Sequence, residues 1–61
     1  MTSNQLFTNM KTLWESFEEN HTTFTDKGNK AAATRARKSV GEIKKLVTEY
    51  RKASVDESKR S

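Results

Sequence analysis

The groups in this sequence that could do chemistry are cations, and they recur at a fixed interval. Lys30, Arg37, Lys44 and Arg51 stand seven residues apart, and so do Lys38, Lys45, Lys52 and Lys59. In an α-helix a seven-residue step advances about 10.5 Å and returns to almost the same bearing. Each set therefore forms a column, and the two columns lie side by side. Ammonium and guanidinium groups at that pitch suit the phosphates of a duplex backbone. Base reading is a different matter, because past Asn29 the chain has no Asn or Gln to pair with adenine. The predicted binding is electrostatic, independent of sequence and weakened steeply by salt. Lys27, Lys30, Arg35, Arg37, Lys38, Lys44, Lys45, Arg51 and Lys52 are the candidate phosphate contacts, the first two at a turn.

The same cations have a plainer reading. Lys and Arg beside an apolar seam are ordinary decoration of helical bundles, where they keep the surface soluble and pair with carboxylates of a neighbouring helix. Charge is unevenly placed along the chain. Residues 1–26 carry one base against four acids, net −3; residues 27–61 carry eleven bases against four acids, net +7. Such asymmetry fits a half that binds a polyanion and a half that neutralises it or self-associates. It fits equally a scaffold whose bundle holds an acidic protein partner.

Other chemistry is thin. There is no cysteine, so disulfides and thiolate metal sites are excluded, and His21 is the single histidine. Glu15, Glu18 and Glu19 lack the second Glu-x-x-His set that a carboxylate-bridged metal site in a bundle needs. Neither a glycine-rich phosphate loop nor a nucleophile–base pair can be found. Trp14 and Tyr50 could stack on bases, but both fall on apolar seams and read as core. The expectation is a protein that is not an enzyme, with no cofactor, no metal and no small-molecule substrate. No apolar run approaches a membrane span or signal segment, so the chain reads as soluble, cytoplasmic and unattached to membrane.

The elements that must position the cations follow from periodicity. Proline is absent, and only Gly28 and Gly41 could interrupt a helix. Leu6, Met10, Leu13, Phe17 and Phe24 recur at helical spacing, with Phe7 and Trp14 alongside. Thr2 with Gln5 can form a capping box, and Ser3 is an equally good cap. Helix 1 is predicted over about residues 3–25. Gly28 suits the left-handed position that ends a helix, and Asn29 suits the cap of the next. A turn at 26–29 then leads into helix 2 over about 30–56, with a frayed tail at 57–61. Its seam reads Ala33, Ala36, Val40, Ile43, Val47, Tyr50 and Ser54, widened by Leu46 and Ala53. Gly41 lies inside helix 2, where glycine costs about 1 kcal/mol relative to alanine.

The predicted fold is all-α, one antiparallel helical hairpin over residues 1–61. Pairing across the turn places together residues whose numbers sum to roughly 56. Phe24 then meets Ala32, Phe17 meets Ser39 and Val40, and Trp14 meets Ile43. A chain this short buries only about 60% of its unfolded surface, so a lone hairpin is marginal. One partner helix also cannot cover Phe7, Trp14, Phe24 and Leu46 together. Two hairpins are expected to join as a homodimeric four-helix bundle or coiled coil, or a higher oligomer. Leu6, Met10, Leu13, Trp14, Phe17, Phe24, Val40, Ile43, Leu46, Val47 and Tyr50 supply the core or the dimer surface.

Residues 27–54, KGNKAAATRARKSVGEIKKLVTEYRKAS, closely resemble the bacterial linker-histone-like family, the chlamydial histone-like DNA-binding proteins. In that family a run of the form KGNKAAxxRxR follows a glutamate-bearing first helix and leads to a second helix ending in YRK. The matching positions here are Lys27, Gly28, Asn29, Lys30, Ala31, Ala32, Arg35 and Arg37, then Tyr50, Arg51 and Lys52. LWESFEEN in helix 1 is similar too, so the likeness extends from about Met10 to Ser54. It implies a nucleoid-associated protein that compacts DNA and a self-associating helical domain; double-stranded DNA is the expected partner, and the sequence itself does not distinguish it from RNA. One departure matters. Long members carry a Lys/Ala-rich C-terminal tail, whereas past Lys52 this sequence has only Lys59 and Arg60. The resemblance therefore implies either DNA binding through helix 2 of a dimer or a mainly associative role.

Overall fold

Both helices begin where a side-chain oxygen meets the first free backbone N–H groups. The computed structural model describes residues 1–60. Helix α1 spans Ser3–Lys27 and helix α2 spans Lys30–Arg60. At the start of α1, Thr2 Oγ1 accepts from the Gln5 N–H at 3.2 Å, and Gln5 Oε1 accepts from the Thr2 N–H at 3.0 Å. This reciprocal box satisfies two donors at once. The helix ends because Gly28 turns left-handed, at φ 65° and ψ 26°, and donates its N–H to the Phe24 carbonyl at 2.8 Å. A residue with a Cβ is strained there. Asn29 Oδ1 then accepts from the Ala32 N–H at 3.1 Å and opens α2. Two residues thus reverse the chain.

The helices run antiparallel in a rod of 48 × 14 × 13 Å, and no strand occurs among the described residues. Near the turn, Arg35 Nε donates to Asn20 Oδ1 at 2.8 Å, and the Ser39 hydroxyl donates to that of Ser16 at 3.5 Å. Both pairs lie within one residue of the expected register. At the open end Ser3 meets Glu57, four residues beyond it.

Close packing at the turn comes from small side chains. Ala32, Ala33, Ala36 and Ser39 are buried on α2, and Leu6 is buried on α1. Met10, Leu13, Phe17, Ile43 and Leu46 are half-buried. Fully covering a leucine contributes about 1.5–3 kcal/mol, and among the described residues Leu6 is the one large side chain so covered. Little of the apolar content is therefore buried within one hairpin.

The inward line of α2 differs from the expected one. Ala33, Ala36, Ile43 and Ser54 of the expected line are buried or half-buried, Ala32, Ser39, Leu46 and Ala53 join them, and Val40 and Val47 are left 43% and 40% exposed. The apolar arc of α2 is wider than one partner helix can cover. Small Ser39 lets the axes approach, and rotation toward it brings Leu46 inward and pushes the two valines to the flank. Trp14, Phe24 and Tyr50 are likewise exposed.

The ends of the elements also differ in detail. α1 extends to Lys27 rather than about 25, and the turn narrows to Gly28 and Asn29. The stretch expected to fray is helical through Arg60, and Ser61 lies outside the described residues. Local bonds hold that last segment. Ser58 Oγ donates to the Ser54 carbonyl at 2.8 Å, and Arg60 pairs with Asp56 at 3.1 Å one turn back.

Candidate nucleic-acid interface

Positions on α2 follow from its 100° step per residue. Relative to the side that meets α1, Arg37, Lys44 and Arg51 stand on one flank. Lys38, Lys45, Lys52 and Lys59 point away from α1 altogether. Lys30, at the first turn, continues the flank column. All of these side chains are exposed. Because the helix persists to Arg60, Lys59 extends the outer column by another turn. Its seven-residue spacing from Lys52 is the sequence signal that adds it to the candidate contacts.

Thr48, Arg51, Lys52, Val55, Asp56 and Lys59 line a shallow depression between the two columns. Its acid, Asp56, is engaged by Arg60. Gly41 is on this outer surface too, with open space where a Cβ would stand. The Arg37 guanidinium donates to Thr34 Oγ1 at 3.2 Å. None of the nine candidate cations lies within ion-pair distance of a carboxylate among the described residues. The acids of α1 therefore do not neutralise the arc within one hairpin. Among the described residues Glu15, Glu18 and Glu19 make no ion pair with these cations inside one chain, and the cations stand solvated.

Arg35 is set apart from the rest. It lies on the opposite flank of α2, beside Glu42 and Glu49, and its Nε is held by Asn20. Lys27 closes α1, where a cation also favours the helix C-terminus.

The two broad faces of the hairpin are unlike. One is polar and carries Ser16, Asn20, Arg35 and Glu42. The other is apolar, and there Phe7, Met10, Lys11, Trp14, Ile43 and Tyr50 line a groove of about 450 Å³. Phe7 is 59% exposed and Trp14 50%. Trp14 packs against Phe17 with ring centres 5.3 Å apart, and Phe17 stacks on His21 at 5.9 Å. Val40 and Val47 extend this face toward the Arg37–Lys44–Arg51 column. Sequence periodicity grouped these residues as core; it did not separate those that meet α1 from those on this second surface.

No group of three or more His, Cys, Asp or Glu among the described residues could hold a metal ion. No helix among the described residues is long and apolar enough to cross a membrane.

The molecule is an all-α hairpin with a cationic outer surface on its second helix and an uncovered apolar face. Comparison with known protein families matches residues 4–60 to the family described as Histone H1-like protein Hc1. That span takes in both helices and the turn, and the chain belongs to this family. Curated proteins and solved structures gave no match.

Proposed function

We propose that this protein binds double-stranded DNA without sequence preference through the basic surface of α2 and helps to compact a bacterial chromosome. It works as one helical-hairpin domain, as a homodimer, in the cytoplasm at the nucleoid. The observation that carries the reading is the run of exposed cations on the outer side of α2, none of them in an ion pair within the hairpin among the described residues. Membership of a histone H1-like family supports the same chemistry. Lys38, Lys45 and Lys52 on the outer ridge carry most of the contact, Arg37, Lys44 and Arg51 add charge from the flank column, Lys27 and Lys30 add charge at the turn, and Arg35 acts from the opposite flank. Contact of this kind holds phosphates and leaves bases unread.

A gel-shift series on random-sequence duplexes tests this. Equal shifts for unrelated sequences are expected. A protein that shifts no duplex in low salt contradicts the reading. That result would favour the other role, a helical scaffold for an acidic protein partner, which the apolar groove beside Arg51 and Lys44 would also suit. Competition by duplex RNA distinguishes a general polyanion binder from one selective for DNA.

A further inference from the structure

We infer that two copies pair with α2 of each lying over α1 of the other, so that the dimer carries its cationic ridges on opposite edges and joins two duplexes. The arrangement rests on the hairpin alone; the joining of duplexes rests also on the DNA-binding reading above.

The occupant of the apolar face is a second copy. The rod is 48 Å long and 14 Å wide, so pairing along its whole side would cover on the order of 700 Å² per copy, close to the roughly 800 Å² per partner of stable interfaces. Its centre is aromatic, with Trp14 and Phe7 half or more exposed, the composition of an interface core. A two-fold pairing of this face with itself has two forms. An axis across the helices sets α2 on the partner's α2. An axis along them sets α2 on the partner's α1.

Charge decides between the two. Arg37, Lys44 and Arg51 border the apolar face on the α2 side. The first form brings this column against its own copy, six cations along one seam, and like charges opposed across an interface are strongly disfavoured. In the second form the column meets the border of α1, where Glu18 stands. Asn20 faces Arg35 and Ser16 faces Ser39, so Glu18 is level with Arg37. Rotation about an axis along the helices keeps that level, and Glu18 comes opposite the partner's Arg37, twice per dimer. In the same register Lys11 comes level with the partner's Lys44, so this form keeps two like-charged pairs beside its two opposite-charged ones, against the six cations along one seam of the first form. The net −3 of residues 1–26 against the net +7 of the remainder favours the alternating bundle.

The consequence concerns the outer ridge. Lys38, Lys45, Lys52 and Lys59 point away from α1, so in the alternating bundle the two ridges face in opposite directions. Each spans about 31 Å, or about nine phosphates of one strand at 3.4 Å spacing. One dimer then holds two duplexes, one on each edge.

The sequence has no cysteine, so introduced thiols report the arrangement directly. Glu18→Cys protein mixed with Arg37→Cys protein and oxidised should give a mixed disulfide dimer, while Lys44→Cys alone should stay uncrosslinked. Ready self-crosslinking of Lys44→Cys with no mixed dimer would overturn the arrangement. For the second part, an immobilised duplex should capture a second, labelled duplex when the protein is added. Trp14→Asp, with helicity checked by circular dichroism, should reduce capture to background. Background capture by the unaltered protein, when gels show that it shifts each duplex, would overturn the joining of duplexes. Failure to shift either duplex would remove the DNA reading and the joining together, and the disulfide pattern would still decide the arrangement.

Discussion

Ser3 donates both its backbone N–H and its hydroxyl to the Glu57 carboxylate, at 2.8 and 2.5 Å, and so ties the first turn of α1 to the last turns of α2 across 54 positions of sequence. The Ser3 hydroxyl, then its N–H, holds the Glu57 carboxyl below its ordinary value of 4.5; desolvation opposes this, and the nearby Arg60 charge adds the least to it. Charge-assisted bonds of this kind favour the ionised form. A depressed folded value means that the stabilisation is present above the unfolded value and is lost as pH falls through the folded one.

That contact is testable by acidification. Helicity followed by circular dichroism should fall below pH 4.5 more in the unaltered protein than in Glu57→Gln, which lacks the titrating group. Glu57→Gln should also speed amide exchange at the ends of the rod and leave the turn end unchanged. Identical acid profiles for the two proteins would show that the tie adds nothing.

The two glycines should move stability in opposite directions. Gly28 holds a left-handed backbone, so Gly28→Ala should cost about 1–2 kcal/mol. In a domain of this size that lowers the melting temperature by about 4–8 °C per kcal/mol. Gly41 is helical with open space at its Cβ position, and Gly41→Ala should gain about 1 kcal/mol. Thermal melts of the two variants check the pair.

Close approach at the turn depends on a small side chain at Ala32, which is wholly buried. Ala32→Leu should destabilise by about 1–3 kcal/mol through overpacking, read by chemical denaturation. A neutral result would mean that the helices are not held close there.

Trp14→Asp places a charge at the middle of the uncovered face. Sedimentation should show the mass fall from that of a dimer to about 7.0 kDa, with helix retained. An unchanged species would move the association surface elsewhere.

The fold was legible in the sequence wherever the determinants are local. Thr2 with Gln5, Gly28 and Asn29 each announce a helix end through their own backbone chemistry, and each performs that role. The heptad spacing of the cations needed only a helix to become columns. Which apolar line of α2 turns inward was not legible, because Ala36 and Ile43 serve either choice and the decision falls to Ser39, Leu46 and the flanking valines. Helix beyond residue 56 was hidden for a related reason. Asp56 and Arg60 are a readable i,i+4 pair, but the Ser3–Glu57 tie joins opposite ends of the chain, and no local pattern encodes it. Asn20 holding Arg35 is a long-range contact of the same sort.

The central claim, that a cationic ridge on α2 binds phosphates, is tested most directly by titrating salt against affinity for a random-sequence duplex. With the four ridge cations Lys38, Lys45, Lys52 and Lys59 each engaging a phosphate, log affinity should fall against log salt with a slope of about −3.6. Lys38→Gln, Lys45→Gln and Lys52→Gln combined should make that slope shallower by about 2.7 and leave helicity intact. A flat slope, or a slope that the triple substitution leaves unchanged, would contradict the account.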